Sequence, residues 1–159
     1  MPHGATVITA VVTTVMLLTA ATAPASAEWT VKPAEGPGGR CILESSRYSL
    51  PDGYQQTSVF FAVTPKSVAL ISAAPLDAGS SDIGLKVDKE AFLRMDRLEG
   101  TKTALFDASY EQVVAQFKAG TQARVQLRFW PTWPATGTHS TTVSLIGFTR
   151  AYEEFSGCR

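Results

Sequence analysis

Between Tyr54 and Ile146 the chain keeps returning to one pattern, a short run in which apolar and polar side chains alternate, closed by a turn signal. Tyr54 to Thr64 puts Thr57, Val59, Phe61 and Val63 on one face and Gln56, Ser58, Phe60 and Ala62 on the other. Asp82 to Asp88 does the same with Ile83, Leu85 and Val87 against Asp82, Lys86 and Asp88. A period of two belongs to a strand with one buried face. Pro51-Asp52-Gly53, Thr64-Pro65-Lys66, Asp88-Lys89-Glu90 and Glu99-Gly100-Thr101 punctuate these runs with residues that preset or tolerate turn dihedrals. Short strands recurring every 8–12 residues or so predict a mainly β fold, an antiparallel β-sandwich or barrel; we take the sandwich.

Further strands are expected at Glu28–Val31, Cys41–Glu44, Ser67–Ala73, Ala91–Leu98, Lys102–Asp107, Thr121–Trp130 and Thr138–Ile146, with a Pro- and Gly-rich loop over Lys32–Arg40. Two segments carry a helical period instead. In 109–119, Val113, Val114 and Phe117 share a face, Ser109 and Gln112 have capping-box spacing, and Gly120 stands where a helix-ending glycine belongs. In 148–156, Phe148, Ala151, Tyr152 and Phe155 fall at i, i+3, i+4 and i+7.

The first residues read differently. Ala5 to Ala23 is uncharged and rich in Val, Leu, Thr and Ala, and Ala25-Ser26-Ala27 supplies a small-x-small cleavage site before Glu28. Residues 1–27 are therefore expected to be a secretory signal peptide cleaved after Ala27, leaving 28–159 as one periplasmic or secreted domain. Uncleaved, the segment would act as a membrane anchor. No cysteine lies near the junction, so no lipid anchor is expected. The 14 acidic residues balance the 14 basic ones. A neutral chain lacks the long-range field that draws proteins to nucleic acid, so nucleic acid is set aside as a primary partner. Cys41 and Cys158 are the two cysteines. In an exported protein such a pair reads as a structural disulfide. Closing so long a loop contributes up to about 4–5 kcal/mol in the chain-entropy model.

Among candidate sites, 124–134 stands out. Val125, Leu127 and Phe129 take the inner face of the strand, leaving Arg124, Gln126, Arg128 and Trp130 outside, and Pro131 and Pro134 stiffen the loop that carries Trp133. Trp offers a large rigid face and Arg a planar donor fork, so Arg128, Trp130 and Trp133 form the candidate binding surface. The competing reading folds Trp133 back as a lid on the sandwich and stacks Trp130 on an arginine. His139 sits beside Ser140, but neighbours on a strand point to opposite faces and no Gly-x-Ser-x-Gly elbow exists. His139 is read as a loop or sheet-surface residue, and no catalytic residue is assigned. The one histidine beyond the predicted leader, His139, and two distant cysteines do not make a zinc site, and the Asp77–Asp82 loop lacks calcium-loop spacing. Asp88, Glu90 and Asp96 read as turn and surface carboxylates, with nothing to make two of them an acid/base pair. No cofactor and no metal are expected.

The pattern resembles the invasion-associated locus B family of bacterial envelope proteins. The likeness rests on the signal peptide, Trp29 just after it, Cys41 about a dozen residues on, Ile83-Gly84-Leu85-Lys86-Val87-Asp88, the helix ending Lys118-Ala119-Gly120, and Ser144-Leu145-Ile146-Gly147-Phe148-Thr149-Arg150-Ala151. The resemblance implies an envelope-associated β-sandwich with few helices, in a family linked in some pathogens to entry into host red cells; it carries over no catalytic residue. The family's additional cysteine pair before the helix is missing from 103–112, and Trp130-Pro131-Thr132-Trp133-Pro134 departs from its pattern. The reading reached from sequence is an exported, non-enzymatic protein that binds a protein or envelope polymer. The alternatives are a hydrolytic or carbohydrate-active enzyme, and a purely structural envelope accessory.

Overall fold

A computed structural model describes residues 1, 28–33, 40–131 and 137–158. The predicted signal peptide and Trp133 lie outside the described residues. The strands are β1 Trp29–Pro33, β2 Cys41–Ser45, β3 Tyr48–Pro51, β4 Gln56–Thr64, β5 Ser67–Ser72, β6 Gly84–Val87, β7 Leu93–Arg94, β8 Arg97–Glu99, β9 Thr103–Phe106, β10 Gln122–Leu127 and β11 His139–Ser144. Helix α1 spans Tyr110–Ala119 and α2 spans Phe148–Cys158. No helix among the described residues is long and apolar enough to cross a membrane.

The chain is mainly β, and every strand pairing is antiparallel. Among the described residues the larger sheet runs β1-β2-β4-β5-β9-β8, with β3 also on β4, and the smaller runs β11-β10-β6-β7. The alternation seen in the sequence selects the packed faces. Val59, Phe61 and Val63 of the larger sheet and Leu85, Val87, Ala123, Val125 and Leu127 of the smaller are all buried in one core. Burial at about 25 cal/mol per Å² of apolar surface makes this the principal stabilising term. Trp29, Phe61, Phe117 and Phe148 join that core to both helices. The Trp29 and Phe148 rings meet edge to face at 4.8 Å, Phe61 and Phe117 at 5.1 Å, and Phe117 and Phe148 at 5.3 Å. The Trp29 indole N–H donates to the Ser144 carbonyl, tying β1 to the second sheet at 3.0 Å.

β2 and β3 are one bent strand. Leu43 pairs with Val63 and Tyr48 with Val59, so one extra residue is accommodated between them, a bulge. Ser45 repairs the ladder there: its buried hydroxyl accepts the Phe61 N–H at 2.9 Å. The Arg47 guanidinium lies 3.9 Å over the Phe60 ring. β3 itself was not expected from sequence; Pro51 closes it rather than opening the turn.

The segment expected to return as one strand over 91–98 is instead divided between the sheets. The Met95 N–H donates to Ile83 O in the smaller sheet, and the next N–H, of Asp96, donates to Leu105 O in the larger. The capping box at Ser109 does not form, and no side-chain cap closes α1. The Ser109 N–H and hydroxyl both donate to the Asp96 carboxylate, at 2.9 and 2.8 Å, so this residue anchors the sheet crossover instead. Gly120 does end α1 but in extended conformation. The glycine is required by contact, since a Cβ there would stand 2.3 Å from Val87 Cγ1. Cys41 and Cys158 form a disulfide with Cα atoms 5.7 Å apart, fixing the end of α2 to β2.

Candidate functional site

The alternation of β10 continues past its last ladder residue. Phe129 is buried and forms an antiparallel bridge with Leu76, while the Trp130 N–H donates to Pro75 O and Arg128 O accepts from Asp77 N–H, both at 2.9 Å. Leu76 N–H also donates to Thr101 O, so segment 75–77 clamps this extension to the larger sheet. Trp130 is thus carried on fixed backbone with its side chain outward and 61% exposed. Among the described residues no arginine lies over its ring, which leaves the arginine-stacking alternative without a partner. The Trp130–Pro131 peptide is cis.

Trp130 forms one wall of a groove of about 480 Å³. The opposite wall is the β3–β4 hairpin. Asp52 builds its tip: the carboxylate accepts the Tyr54 and Gln55 N–H groups, both at 2.9 Å, and Gly53 takes φ 99°. These backbone donors, Gln55 first, hold the Asp52 carboxyl below the usual carboxylate range. Tyr54, expected to open a strand, is in the turn instead and stands 63% exposed. Ser49, Gln56 and Ser58 line the sides, with Ser49 donating to Gln56 Oε1 at 2.9 Å, and Ala73, Ala74 and Pro75 form the end. Two exposed aromatic rings thus border a channel of mixed character, with amides, hydroxyls and the Asp52 carboxylate beside apolar side chains.

Arg128 does not share this groove. Its guanidinium donates to Asp82 Oδ2 at 2.8 Å and reaches Thr138 Oγ1 at 3.4 Å. That hydrogen bond, reinforced by the charge of Arg128, keeps the Asp82 carboxyl below the usual range. Arg128 borders a separate polar depression of about 270 Å³ formed by the 77–82 loop. The expected trio is thus divided: Trp130 faces one depression, Arg128 another, and Trp133 lies outside the described residues.

His139 corrects another expectation. It opposes Leu127 on the inward row of β11 rather than facing solvent, and its ring tilts against Phe129 at a centroid distance of 5.8 Å. Its Nε2 is buried without a hydrogen-bond partner among the described residues. Asp77 accepts the Gly79 N–H at 3.0 Å and Asp82 is committed to Arg128. Among the described residues no three His, Cys, Asp or Glu side chains gather as a metal site.

Sequence reasoning missed the wall formed by Tyr54, Gln55 and Gln56. The signal was an aromatic directly after Pro-Asp-Gly, at a turn rather than within a strand. No protein-family model matches the chain, and no curated protein or solved structure matches it.

Proposed function

We propose that the protein is an exported, non-enzymatic binding protein of the cell envelope, and that the groove between Trp130 and Tyr54 holds a segment of a hydroxyl-rich envelope polymer. The observation that carries this is Trp130, kept 61% exposed on clamped backbone at the rim of a groove lined by amides, hydroxyls and the Asp52 carboxylate, with an apolar end at Ala73, Ala74 and Pro75. A tryptophan left in water forgoes the burial its ring would gain in a core, and rigid rings lose little entropy when a ligand packs on them. A sugar ring has the complementary surface, an apolar C–H face for the aromatics and hydroxyls for Gln55, Gln56 and Ser58. The leader read over 1–27 and the resemblance to envelope proteins favour export to the periplasm or beyond. The enzyme alternative draws no support from Asp52, which is held ionised by N–H donors, whereas a general acid needs its pKa raised.

Co-sedimentation of the protein with insoluble envelope polysaccharide tests the reading. Truncating an aromatic anchor typically costs about 2 kcal/mol or more, so Trp130→Ala and Tyr54→Ala are each expected to weaken retention by at least about tenfold. Equal retention of wild type and both folded variants contradicts it.

A further inference from the structure

The outer face of the smaller sheet carries a charge arrangement unconnected with the Trp130 groove. In register, Lys86 of β6 stands directly opposite Arg124 of β10, and Arg94 of β7 stands opposite Gly84, one row along on the same face. All three cations are exposed, and none joins a salt bridge among the described residues. Arg124 donates to the neutral hydroxyl of Ser140 at 3.1 Å. Adjacent strands lie about 4.8 Å apart, and like charges placed directly opposite destabilise a sheet. Some basic residues elsewhere are paired, Arg97 with Glu99 and Asp107 and Arg128 with Asp82; Lys86 and Arg124 instead stand opposite a second cation. The carboxylates bordering β6 are otherwise engaged, Asp82 with Arg128 and Asp88 with the Thr121 and Gln122 N–H groups, while Glu90 lines a depression against α1. The repulsion between Lys86 and Arg124 is therefore left standing on an exposed face.

We propose that this face binds a linear acidic polysaccharide, with carboxylates seated among Lys86, Arg94 and Arg124 and hydroxyls on Ser140, Thr142 and Gln126. The neutral side chains decide the class of ligand. Thr142 opposes Arg124 and Ser140 opposes Gln126, so hydroxyls and an amide alternate with the cations. A single-stranded nucleic acid calls for stacking aromatics between its basic contacts, and an anionic bilayer favours apolar side chains that insert between them. The aromatic at this edge, Phe92, is 41% exposed with its Cζ against Gly84, and the outward rows of the paired strands hold no second ring to continue a stack.

Titration of the full-length protein with polygalacturonate, and with dextran as the uncharged control, tests the proposal. Wild type is expected to bind polygalacturonate, with affinity falling about tenfold or more between roughly 50 and 500 mM salt as the charges are screened. Lys86→Gln/Arg124→Gln is expected to lose about tenfold or more in affinity at low salt while its Tm stays level or rises, because the cross-strand repulsion is gone. The charge-matched control Lys66→Gln/Lys102→Gln, altered in turns of the larger sheet, is expected to bind as wild type. Equal binding by the Lys86/Arg124 variant overturns the proposal. So does binding to duplex DNA or to phosphatidylglycerol vesicles in preference to polygalacturonate.

Discussion

A Cβ on Gly84 would stand 2.2 Å from the Leu93 carbonyl oxygen and 2.6 Å from Phe92 Cζ. The first of these is backbone and cannot swing away, so Gly84→Ala must push β7 off β6. It is expected to cost about 1–3 kcal/mol, seen as a lower Tm by calorimetry; an unchanged Tm would mean the β6–β7 contact yields freely. Asp88 acts through acceptance: its carboxylate takes the Thr121 N–H, the Thr121 hydroxyl and the Gln122 N–H, and the residue adopts φ 43° to do so. Those donors hold its carboxyl below the usual range, as Arg97 does for Asp107, Arg128 for Asp82 and Gln55 for Asp52. A carboxyl with a depressed folded pKa stabilises the fold fully above its unfolded value of about 3.9, and that contribution is lost as pH falls through the folded pKa. The Tm is therefore expected to stay level from about pH 7 to 5 and to drop below about pH 4. A midpoint of loss near neutrality would contradict these assignments. The Asp52 role is local, an aspartate in Pro-Asp-Gly capping its own turn, whereas those of Asp82, Asp88 and Asp107 cannot be read from sequence, because each depends on donors the fold brings from elsewhere in the chain.

Elements were legible where one period ran unbroken. β4 with β5 follows from alternation and a short turn, β10 and β11 from alternation, and α2 from Phe148, Ala151, Tyr152 and Phe155. The crossover at Met95–Asp96 was hidden because 91–98 has the length of one strand. Its trace is a slip of parity, with Leu93 and Met95 on odd positions and Leu98 on an even one. β3 was hidden by Pro51, which reads as a turn but is tolerated at the end of a strand on the sheet margin. The disulfide joins two of these elements, β2 and α2. Cys41→Ser/Cys158→Ser is expected to lower unfolding free energy by about 2–4 kcal/mol in denaturant titration. A loss near zero would mean that Phe148, Tyr152 and Phe155 hold α2 without the covalent tie.

For the whole molecule, the sequence signalled one wall of the site. Alternation through Phe129 left Trp130 outside, and it is outside. Arg128 follows the same alternation but turns to Asp82, a partner 46 positions away that no local pattern reveals. Tyr54 reaches the groove only because segment 75–77 brings the end of β10 against the larger sheet. The central claim, that Trp130 and Tyr54 together hold a polymer segment, is tested most directly by ¹H–¹⁵N NMR of the mature chain during addition of soluble envelope oligosaccharide. The Trp130 indole N–H and the amides of Tyr54, Gln55, Gln56 and Ser58 are expected to shift together. The Trp29 indole, bonded to Ser144 O in the interior, is expected to stay in place. Shifts confined to other surfaces, or a spectrum unmoved at saturating oligosaccharide, would contradict the account.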